Sequence, residues 1–453
     1  MVRSLFNKYT AATKEKSFKG KYLKNLSSSF ILNVGSILIT YLTNLILTNI
    51  TNKAEYGAYV AVNNLASIIA LFAPLGLSTL VIRQIGEYKS GKQFALIKGM
   101  NHFSAWFIFT SSAILSFLTY LACVHFDLIK GLDNPVYLII GLSTVPFLAL
   151  MSYHQAVLSA LQHTGKALLG EKIIRPILLA AGSALIFYFY GLPDGGDLIN
   201  LFLIACIIVF LINYSLMRRG LKFEIPEGHG KEYDKLNWIK QGWIFVPISM
   251  LSVINAKIDV QMIGMLMDKG IALDKIAVYN VANKAAQGVS LALLIANYVL
   301  GPSVAELYYS NEMDRLQNVV TKTAKLVTLI TIPPVIILII FGKWLLGLYG
   351  EGYEEGYTSM IILTIGQFIN VFTGSVGYLL LVTKNEKYSF WGMGISVVLN
   401  IALNYLLIDE YGIEGVSFAT ALAIAAWNFI MLYYLLKKTG INPLPFSLPK
   451  RKN

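Results

Sequence analysis

Long apolar stretches separated by short polar breaks run along the chain from about residue 28 to about residue 436. A helix needs roughly 20 apolar residues to cross a bilayer core of about 30 Å, and most of these stretches reach that length. The pattern therefore predicts twelve spanning helices in an all-α polytopic membrane protein. The predicted spans are 28–50, 57–82, 100–124, 136–162, 173–190, 198–217, 243–267, 277–304, 323–347, 357–383, 388–408 and 413–436.

The composition agrees with a membrane protein. Hydrophobic residues make up 56% of the chain and charged residues only 14%, whereas soluble domains carry about 25% charged residues. The first 27 residues are polar and basic without an apolar core, so we expect a tail and not a cleaved signal peptide. Cys123 and Cys206 both lie in apolar stretches, which argues against a disulfide or a zinc site.

Basic residues are distributed unevenly between the two sets of connections. Of the 37 Lys and Arg residues, 30 fall on the two tails and the even-numbered connections, counting the adjoining span ends. Five fall on the odd-numbered connections, and the last two lie inside spans. Cytoplasmic connections carry the excess of Lys and Arg, so both termini are predicted to be cytoplasmic. The net charge of +12 is explained by attraction of these basic residues to anionic lipid at the cytoplasmic surface. A nucleic-acid partner is therefore not predicted.

The two halves of the chain resemble each other at an offset of about 220 residues. Tyr59 and Asn63 in the second span correspond to Tyr279 and Asn283 in the eighth, with the same spacing of four residues. Because six spans is an even number, the halves are predicted to share one orientation. Repeats of that kind are related by an axis along the membrane normal and hold their substrate at the interface.

The repeat predicts two six-helix lobes related by a pseudo-two-fold axis along the membrane normal. The predicted segments are a basic N-tail at 1–27, lobes at 28–217 and 243–436, a cytoplasmic linker at 218–242 and a basic C-tail at 437–453. All connections are too short to hold a catalytic domain, and the chain contains no phosphate-binding loop, zinc-protease or serine-hydrolase motif. A transporter without cofactor or metal is therefore predicted, and not an enzyme.

Three charged residues fall inside predicted spans of the second half, where charge is costly and marks a functional hypothesis. Lys257, Asp259 and Lys284 leave this region with a net positive charge, which suits an anionic substrate. Asp259 and Lys284 both lie roughly 12 Å from the predicted external surface, so they are predicted to pair. Asp259 would then adjust the charge of Lys284 or carry a coupling proton. The alternative is a salt bridge that only joins two helices.

The first half supplies further cationic candidates in Arg83 and Arg175, for which anchoring at the cytoplasmic surface is the alternative. His154 is a candidate proton relay, because histidine titrates near neutral pH. A packed, hydrogen-bonded histidine is the alternative at this position.

Asparagines recur inside the predicted spans, where they either bridge helices or line a polar cavity. The candidates for the cavity are Asn63, Asn64 and Asn283, because the repeat places them at equivalent positions in the two lobes. Amides there would contact polar groups of a substrate.

Several segments carry a resemblance to a known family. They are 53–57 (Lys-Ala-Glu-Tyr-Gly), 74–77 (Pro-Leu-Gly-Leu), 258–264 (Ile-Asp-Val-Gln-Met-Ile-Gly), 278–284 (Val-Tyr-Asn-Val-Ala-Asn-Lys) and 353–357 (Tyr-Glu-Glu-Gly-Tyr), which leads to 366–370. In order and spacing the chain resembles the multidrug/oligosaccharidyl-lipid/polysaccharide exporter (MOP) superfamily. Within that superfamily it is similar to the polysaccharide transport branch of Wzx-type flippases.

The resemblance implies a flippase that moves undecaprenyl-pyrophosphate-linked oligosaccharide to the outer leaflet by alternating access. It further implies the bacterial plasma membrane, surface polysaccharides such as O-antigen, and polysaccharide polymerase and chain-length proteins as partners beside membrane lipids. A drug or organic-cation antiporter of the same fold is the first alternative, but it would be expected to have an acidic cavity. A membrane polymerase or ligase is the second alternative, and it would be expected to carry a large external loop.

Overall fold

The computed structural model describes residues 18–226, 228 and 230–446, and the regular structure in this part of the chain is helical. Its first helices are α1 Phe18–Asn49, α2 Lys53–Phe72, α3 Leu77–Ser90, α4 Phe94–Phe126, α5 Pro135–Leu142, α6 Val145–Ala160, α7 Thr164–Leu169, α8 Arg175–Tyr190 and α9 Gly195–Glu224. They are followed by α10 Lys235–Trp243, α11 Val246–Leu266, α12 Ala272–Gln287, α13 Leu291–Tyr309, α14 Met313–Gly347, α15 Tyr357–Phe372, α16 Val376–Val382 and α17 Glu386–Thr439. Short turns of other helix types occupy Gly170–Ile174, Gly288–Ser290 and Tyr353–Gly356.

Within the described residues, seven helical segments are long and apolar enough to cross a membrane, and the bent pair α2 and α3 makes an eighth. The prediction of an all-α polytopic membrane protein is therefore confirmed, while the number of twelve spans stays a prediction. Helix α17 has 54 residues, or about 80 Å at 1.5 Å per residue, which is far longer than one crossing. Gly412, with φ 57° and ψ −136°, interrupts its helical conformation between the predicted spans 388–408 and 413–436.

The α-helical conformation is also interrupted at Gly76, at Gly374 and at the 3-10 turn Gly288–Ser290. Gly76 separates α2 from α3 with φ 78°, and Gly374 separates α15 from α16 with φ 76°. The turn Gly288–Ser290 separates α12 from α13. Irregular backbone at membrane depth is tolerated only where it is buried in protein or lines a cavity. We therefore expect neighbouring groups to form hydrogen bonds with the backbone N–H and C=O groups at each break.

The chain divides into two compact units. Among the described residues, the first unit contains those up to Asn52, Val62–Phe126 and Asn134–Met250, and the second contains Lys53–Ala61, Asp127–Asp133 and those from Leu251 onward. The lobe boundaries predicted from sequence stay a prediction. Most of the predicted N-tail lies outside the described residues, and α1 begins at Phe18, ten positions before the predicted first span.

In the first unit, residues 230–242 of the predicted linker pack against neighbouring helices. The indole Nε1 of Trp238 on α10 donates a buried hydrogen bond of 2.8 Å to the hydroxyl of Tyr88 on α3. A Cβ added to Gly99 on α4 would lie 1.6 Å from the carbonyl oxygen of Glu232. Only glycine permits this close approach of the two backbones, so the linker is held against the unit.

The core of the second unit is built from α13, α14, α16, α17 and the segment that follows α17. The buried side chains of this cluster are Val304, Leu316, Val320, Val376, Leu379, Leu380, Met431, Leu432, Leu435, Ile441 and Leu444. The side-chain amide of Gln317 forms two hydrogen bonds with the backbone of Asn442. Gln317 Oε1 accepts a bond of 2.9 Å from the Asn442 N–H, and Gln317 Nε2 donates one of 2.8 Å to the Asn442 carbonyl oxygen. The first part of the predicted C-tail is therefore packed against the unit.

Candidate functional site

Lys257 on α11 and Lys284 on α12 form a cationic pair in the second unit. Both side chains are half-buried, and their positive charges are near enough to repel each other. Repulsion between two cations is strongest where water is partly excluded. The arrangement therefore favours an anionic group between or beside the two ammonium groups.

Asp259 does not pair with Lys284, contrary to the prediction from span depth. Its buried carboxylate accepts hydrogen bonds from Tyr279 Oη at 2.7 Å and from Thr420 Oγ1 at 2.8 Å. Asn404 Nδ2 donates a third bond of 3.1 Å to the other carboxylate oxygen. Residues two positions apart on a helix point to nearly opposite sides, so Asp259 faces its neutral donors while Lys257 lies on another side of α11.

The Asp259 network continues along α17. Asn404 Nδ2 donates to Asn400 Oδ1 at 3.0 Å, and Asn400 Nδ2 donates to Thr420 Oγ1 at 3.2 Å. All four side chains are at least 90% buried. In the part of the chain that the structure describes, Asn404 Oδ1 is buried without a hydrogen-bond partner. Such an orphaned acceptor is costly, and it identifies a place where a further donor or a cation would be favoured.

The chemistry of this network suits a small cation. It brings together oxygens of one carboxylate, two amides and two hydroxyls, and hard cations prefer oxygen ligands. A single buried carboxylate balances one positive charge, and buried charges are stable only when they are paired. A proton or a monovalent metal ion therefore fits the residues present.

Asn283 and its neighbour Asn280 form hydrogen bonds within the second unit. Asn283 Oδ1 accepts a bond of 3.1 Å from Gln287 Nε2 one turn along α12. Asn280 Nδ2 donates a bond of 3.1 Å to Tyr56 Oη on α2. The amide oxygen of Asn283 is therefore directed along its own helix, on the same element as Lys284.

The remaining candidates lie in the first unit. Arg83 is exposed on α3, and Asn64 is buried on α2. Asn63 Oδ1 is buried without a hydrogen-bond partner among the described residues. Asn63 can therefore accept a hydrogen bond from a further donor.

Arg175 forms a polar cluster where α8 begins after the π-helical turn Gly170–Ile174. Its guanidinium lies 3.6 Å from Glu171 Oε1 and 5.4 Å from the centre of the Phe202 ring. Gln155 Nε2 donates a bond of 2.7 Å to the other oxygen of Glu171. Glu171 thus offsets the positive charge predicted for Arg175, and the sequence analysis had not singled it out.

His154 is packed among aromatic rings. Its ring stacks on Phe210 with 5.4 Å between centres and lies 5.7 Å from Tyr214. Its Nδ1 atom is buried and has no hydrogen-bond partner within residues 18–446 apart from the gaps stated above. These contacts favour the packing alternative, and the role of proton relay stays a prediction.

Four residues of the Asp259 network were missed as site residues. Asn400 and Asn404 carry a sequence signal, because two amides four positions apart share one face of an apolar helix. Tyr279 was marked by the internal repeat but was given no role. Thr420 has no signal in the sequence, since threonine is common in membrane helices.

Two family models match the chain. The model described as polysaccharide biosynthesis protein matches residues 22–308, more than half of the sequence. A second model, MatE, matches residues 250–406. A curated relative is a probable low-salt glycan biosynthesis flippase of Haloferax volcanii, 27% identical over 135 residues. That alignment covers 30% of this chain and 29% of the relative.

Solved structures share the fold. An inward-facing multidrug resistance MATE transporter of the MOP superfamily has a TM-score of 0.68 at 12% identity, with 90% of this chain and 99% of that chain covered. The lipid II flippase MurJ in an inward closed conformation has a TM-score of 0.65 at 16% identity, covering 89% and 86%. A MOP superfamily transporter from Pyrococcus furiosus has a TM-score of 0.58 at 12% identity, covering 94% and 100%.

Proposed function

The chain belongs to the polysaccharide biosynthesis protein family, and we propose that it is a flippase of the MOP superfamily whose cargo is a lipid-linked oligosaccharide. The proposed substrate is an undecaprenyl-pyrophosphate-linked repeat unit, moved from the cytoplasmic to the outer leaflet of a bacterial plasma membrane. The name of the Haloferax relative and the description of the family model support a glycan. The product would serve surface polysaccharide synthesis such as that of O-antigen.

The observation that carries this proposal is the pairing of Lys257 with Lys284. Charges within spanning helices are costly, and two like charges beside each other add to that cost. A pyrophosphate placed there would replace repulsion by two attractive contacts, because lysine serves as a point charge for phosphate. We propose that this pair holds the pyrophosphate, with Arg83 and Arg175 as further cationic contacts and Asn63, Asn64 and Asn283 as amides for the sugar.

The competing function is export of an organic cation, as the MATE transporters of similar fold bear the name multidrug resistance. An exporter of cations needs acidic groups that face the substrate. Asp259 is buried and already accepts three hydrogen bonds from neutral donors. The charge balance around Lys257 and Lys284 therefore supports an anionic substrate.

The Asp259 network is proposed to hold the coupling cation. Binding of one proton or monovalent ion would neutralise Asp259 and reorganise the amides of Asn400 and Asn404 on α17. Asp259 with a bound cation and Asp259 as a bare carboxylate would favour different packings of α11 against α17. An ion gradient would then shift the equilibrium between the two conformations, because the cation binds one of them more tightly. His154 remains the second candidate for coupling.

In this proposal the twelve predicted spans form two lobes that alternate in exposing the cargo to the two sides. The polyprenyl chain stays in the lipid, so membrane lipids contact the protein throughout. Polysaccharide polymerase and chain-length proteins are the proposed partners that receive the product. The matching families and folds are those of transporters and flippases, which supports transport and not catalysis.

The test is flipping of a fluorescent undecaprenyl-pyrophosphate oligosaccharide in proteoliposomes, read as loss of protection from a membrane-impermeant quencher. We compare the wild type with Lys257→Ala/Lys284→Ala and with Lys269→Ala as a matched control. Lys269 is a largely exposed lysine of the same unit that pairs with Asp133. The double variant is expected to lose flipping, and the control is expected to retain it.

The same vesicles, loaded for uptake of ethidium, test the competing function. A wild-type protein that moves the cation and leaves the lipid-linked sugar in place would overturn the proposed cargo. Flipping that survives in a correctly folded Lys257→Ala/Lys284→Ala variant would overturn the cationic site and leave the cargo assignment intact.

A further inference from the structure

A cavity of about 320 Å³ lies in the second unit, away from Lys257 and Lys284. Its size is at the lower end of small-molecule sites, which span roughly 300–1,000 Å³. The polar and aromatic residues that line it are Ser290, Asn297, Asn370, Ser375, Tyr378, Trp427 and Asn428. They come from α13, α15, α16, α17 and the two segments that interrupt the helices beside them.

Two interruptions of α-helix meet at this cavity, one at a glycine with positive φ and the other at a 3-10 turn. One is the segment between α15 and α16, where Gly374 has φ 76° and where Ser375 follows it. The other is the turn Gly288–Ser290 between α12 and α13, from which Ser290 reaches the cavity. Discontinuous spanning helices are a common way to build a substrate site, because irregular backbone is stable in a membrane where it lines a cavity.

The amides around the cavity are fixed by one another. Asn428 accepts a bond of 3.0 Å from Thr373 Oγ1 and donates one of 3.1 Å to Asn370 Oδ1. Ser375 Oγ donates to Asn297 Oδ1. Each amide can donate two hydrogen bonds and accept two, so Asn370 and Asn297 keep donor capacity beyond the single bond that each accepts. The cavity thus presents oriented donors on a rigid frame.

The lining residues carry no formal charge, which separates this cavity from the lysine pair. Neutral amides and hydroxyls offer donors and acceptors together, as the hydroxyl groups of a sugar require. The indole of Trp427 is half-buried and supplies a flat apolar surface beside them. A pyranose ring has the matching character, with hydroxyls at its edge and C–H groups on its face.

We propose that this cavity binds one neutral sugar residue of the glycan. The identity of the ligand as part of a transported substrate rests on the proposed function, whereas sugar binding itself does not. Asn370 and Asn297 donate to sugar hydroxyls, Ser290 contributes its hydroxyl group, and Trp427 contacts the ring face. The cavity sets a preference for the sugar, and the lysine pair holds the pyrophosphate.

The direct test is binding of soluble oligosaccharides of two to five residues, free of lipid and phosphate, to the full-length protein in nanodiscs. Titration calorimetry is performed on the wild type, Asn370→Leu, Trp427→Leu and the control Asn213→Leu. Asn213 is a buried asparagine on α9 whose amide has no hydrogen-bond partner among the described residues. Binding is expected in the wild type and the control and roughly five- to tenfold weaker in Asn370→Leu.

No binding of any oligosaccharide to the wild type, or equal binding by the wild type and the two cavity variants, would overturn the inference. Thermal melting confirms that each variant is folded before titration. Ser290→Ala, a smaller change, serves as the second cavity variant where Trp427→Leu lowers the yield.

A flipping assay separates this inference from the proposed function. It compares undecaprenyl pyrophosphate bearing the oligosaccharide with the same carrier lacking sugar. Asn370→Leu is expected to raise the KM for the glycosylated carrier and to leave the bare carrier unaffected. Equal loss for both carriers would overturn the sugar site. Failure of the wild type to move either carrier would overturn the proposed function, while calorimetry would still decide the sugar site.

Discussion

The hydroxyl of Tyr279 lies 2.7 Å from Oδ2 of Asp259 and donates a hydrogen bond to it, with both residues buried in the second unit. The bond joins α12 to α11 at the position that the internal repeat marks. Asp259 is therefore held by neutral donors and not by Lys284, the lysine nearest to it in predicted depth.

Substitution of Asp259 by asparagine is expected to abolish the response of transport to an ion gradient. Asparagine has nearly the same shape, but it can neither bind a proton nor balance the charge of a metal ion. The measurement is the flipping rate in proteoliposomes with an imposed sodium or proton gradient, compared with vesicles without one. A variant that responds to either gradient as the wild type does would exclude Asp259 as the coupling site.

Tyr279→Phe is expected to lower the stability of the protein by about 1–3 kcal/mol, because a buried carboxylate oxygen loses a donor. The readout is the apparent melting temperature in detergent. Tyr309→Phe is the matched control, since the Tyr309 hydroxyl donates an exposed bond of 3.2 Å to Val382. If the two variants lower the melting temperature equally, the buried hydrogen bond from Tyr279 to Asp259 does not stabilise the protein more than an exposed one.

Gly57→Ala is expected to destabilise the protein although alanine is the better helix former. A Cβ at Gly57 would lie 1.9 Å from the carbonyl oxygen of Leu273 at the start of α12. Overpacking of this kind costs roughly 1–3 kcal/mol, which exceeds the gain of about 0.5–1 kcal/mol from replacing a helical glycine.

The control for that prediction is Gly86→Ala on the exposed face of α3, where an added Cβ meets no atom within 4 Å. This variant is expected to gain stability. Thermal melting of both variants in the same detergent gives the sign of each effect, and a stabilised Gly57→Ala would refute the close approach to Leu273.

Gly99→Ala is expected to release the predicted linker from the first unit, because its Cβ would lie 1.6 Å from the carbonyl oxygen of Glu232. Hydrogen exchange measured by mass spectrometry should increase in residues 230–243. Gly91→Ala is the control, since its Cβ would make only ordinary contacts of 3.6 Å. Unchanged exchange in Gly99→Ala would mean that the linker is held by other contacts, such as the bond between Trp238 and Tyr88.

Much of the site was accessible from the sequence because isolated charges stand out in apolar segments. Lys257, Asp259 and Lys284 were found in this way, and the segments around 258–264 and 278–284 carried the family resemblance. The partner of Asp259 was predicted wrongly, since depth along a helix does not specify the direction of a side chain. Thr420 lies 161 positions away along the chain, and no local pattern connects it with Asp259.

The sequence by itself determined that the chain is a polytopic, all-helical membrane protein, because the cost of placing polar backbone and charge in lipid acts on each segment separately. The tertiary structure decided which polar groups meet. It brought Asn400, Asn404 and Thr420 of α17 to Asp259 and joined the breaks at Gly288–Ser290 and Gly374 in one cavity. Hydrogen bonds require partners within about 3 Å and in a defined direction, and only the packing of distant helices sets those two quantities.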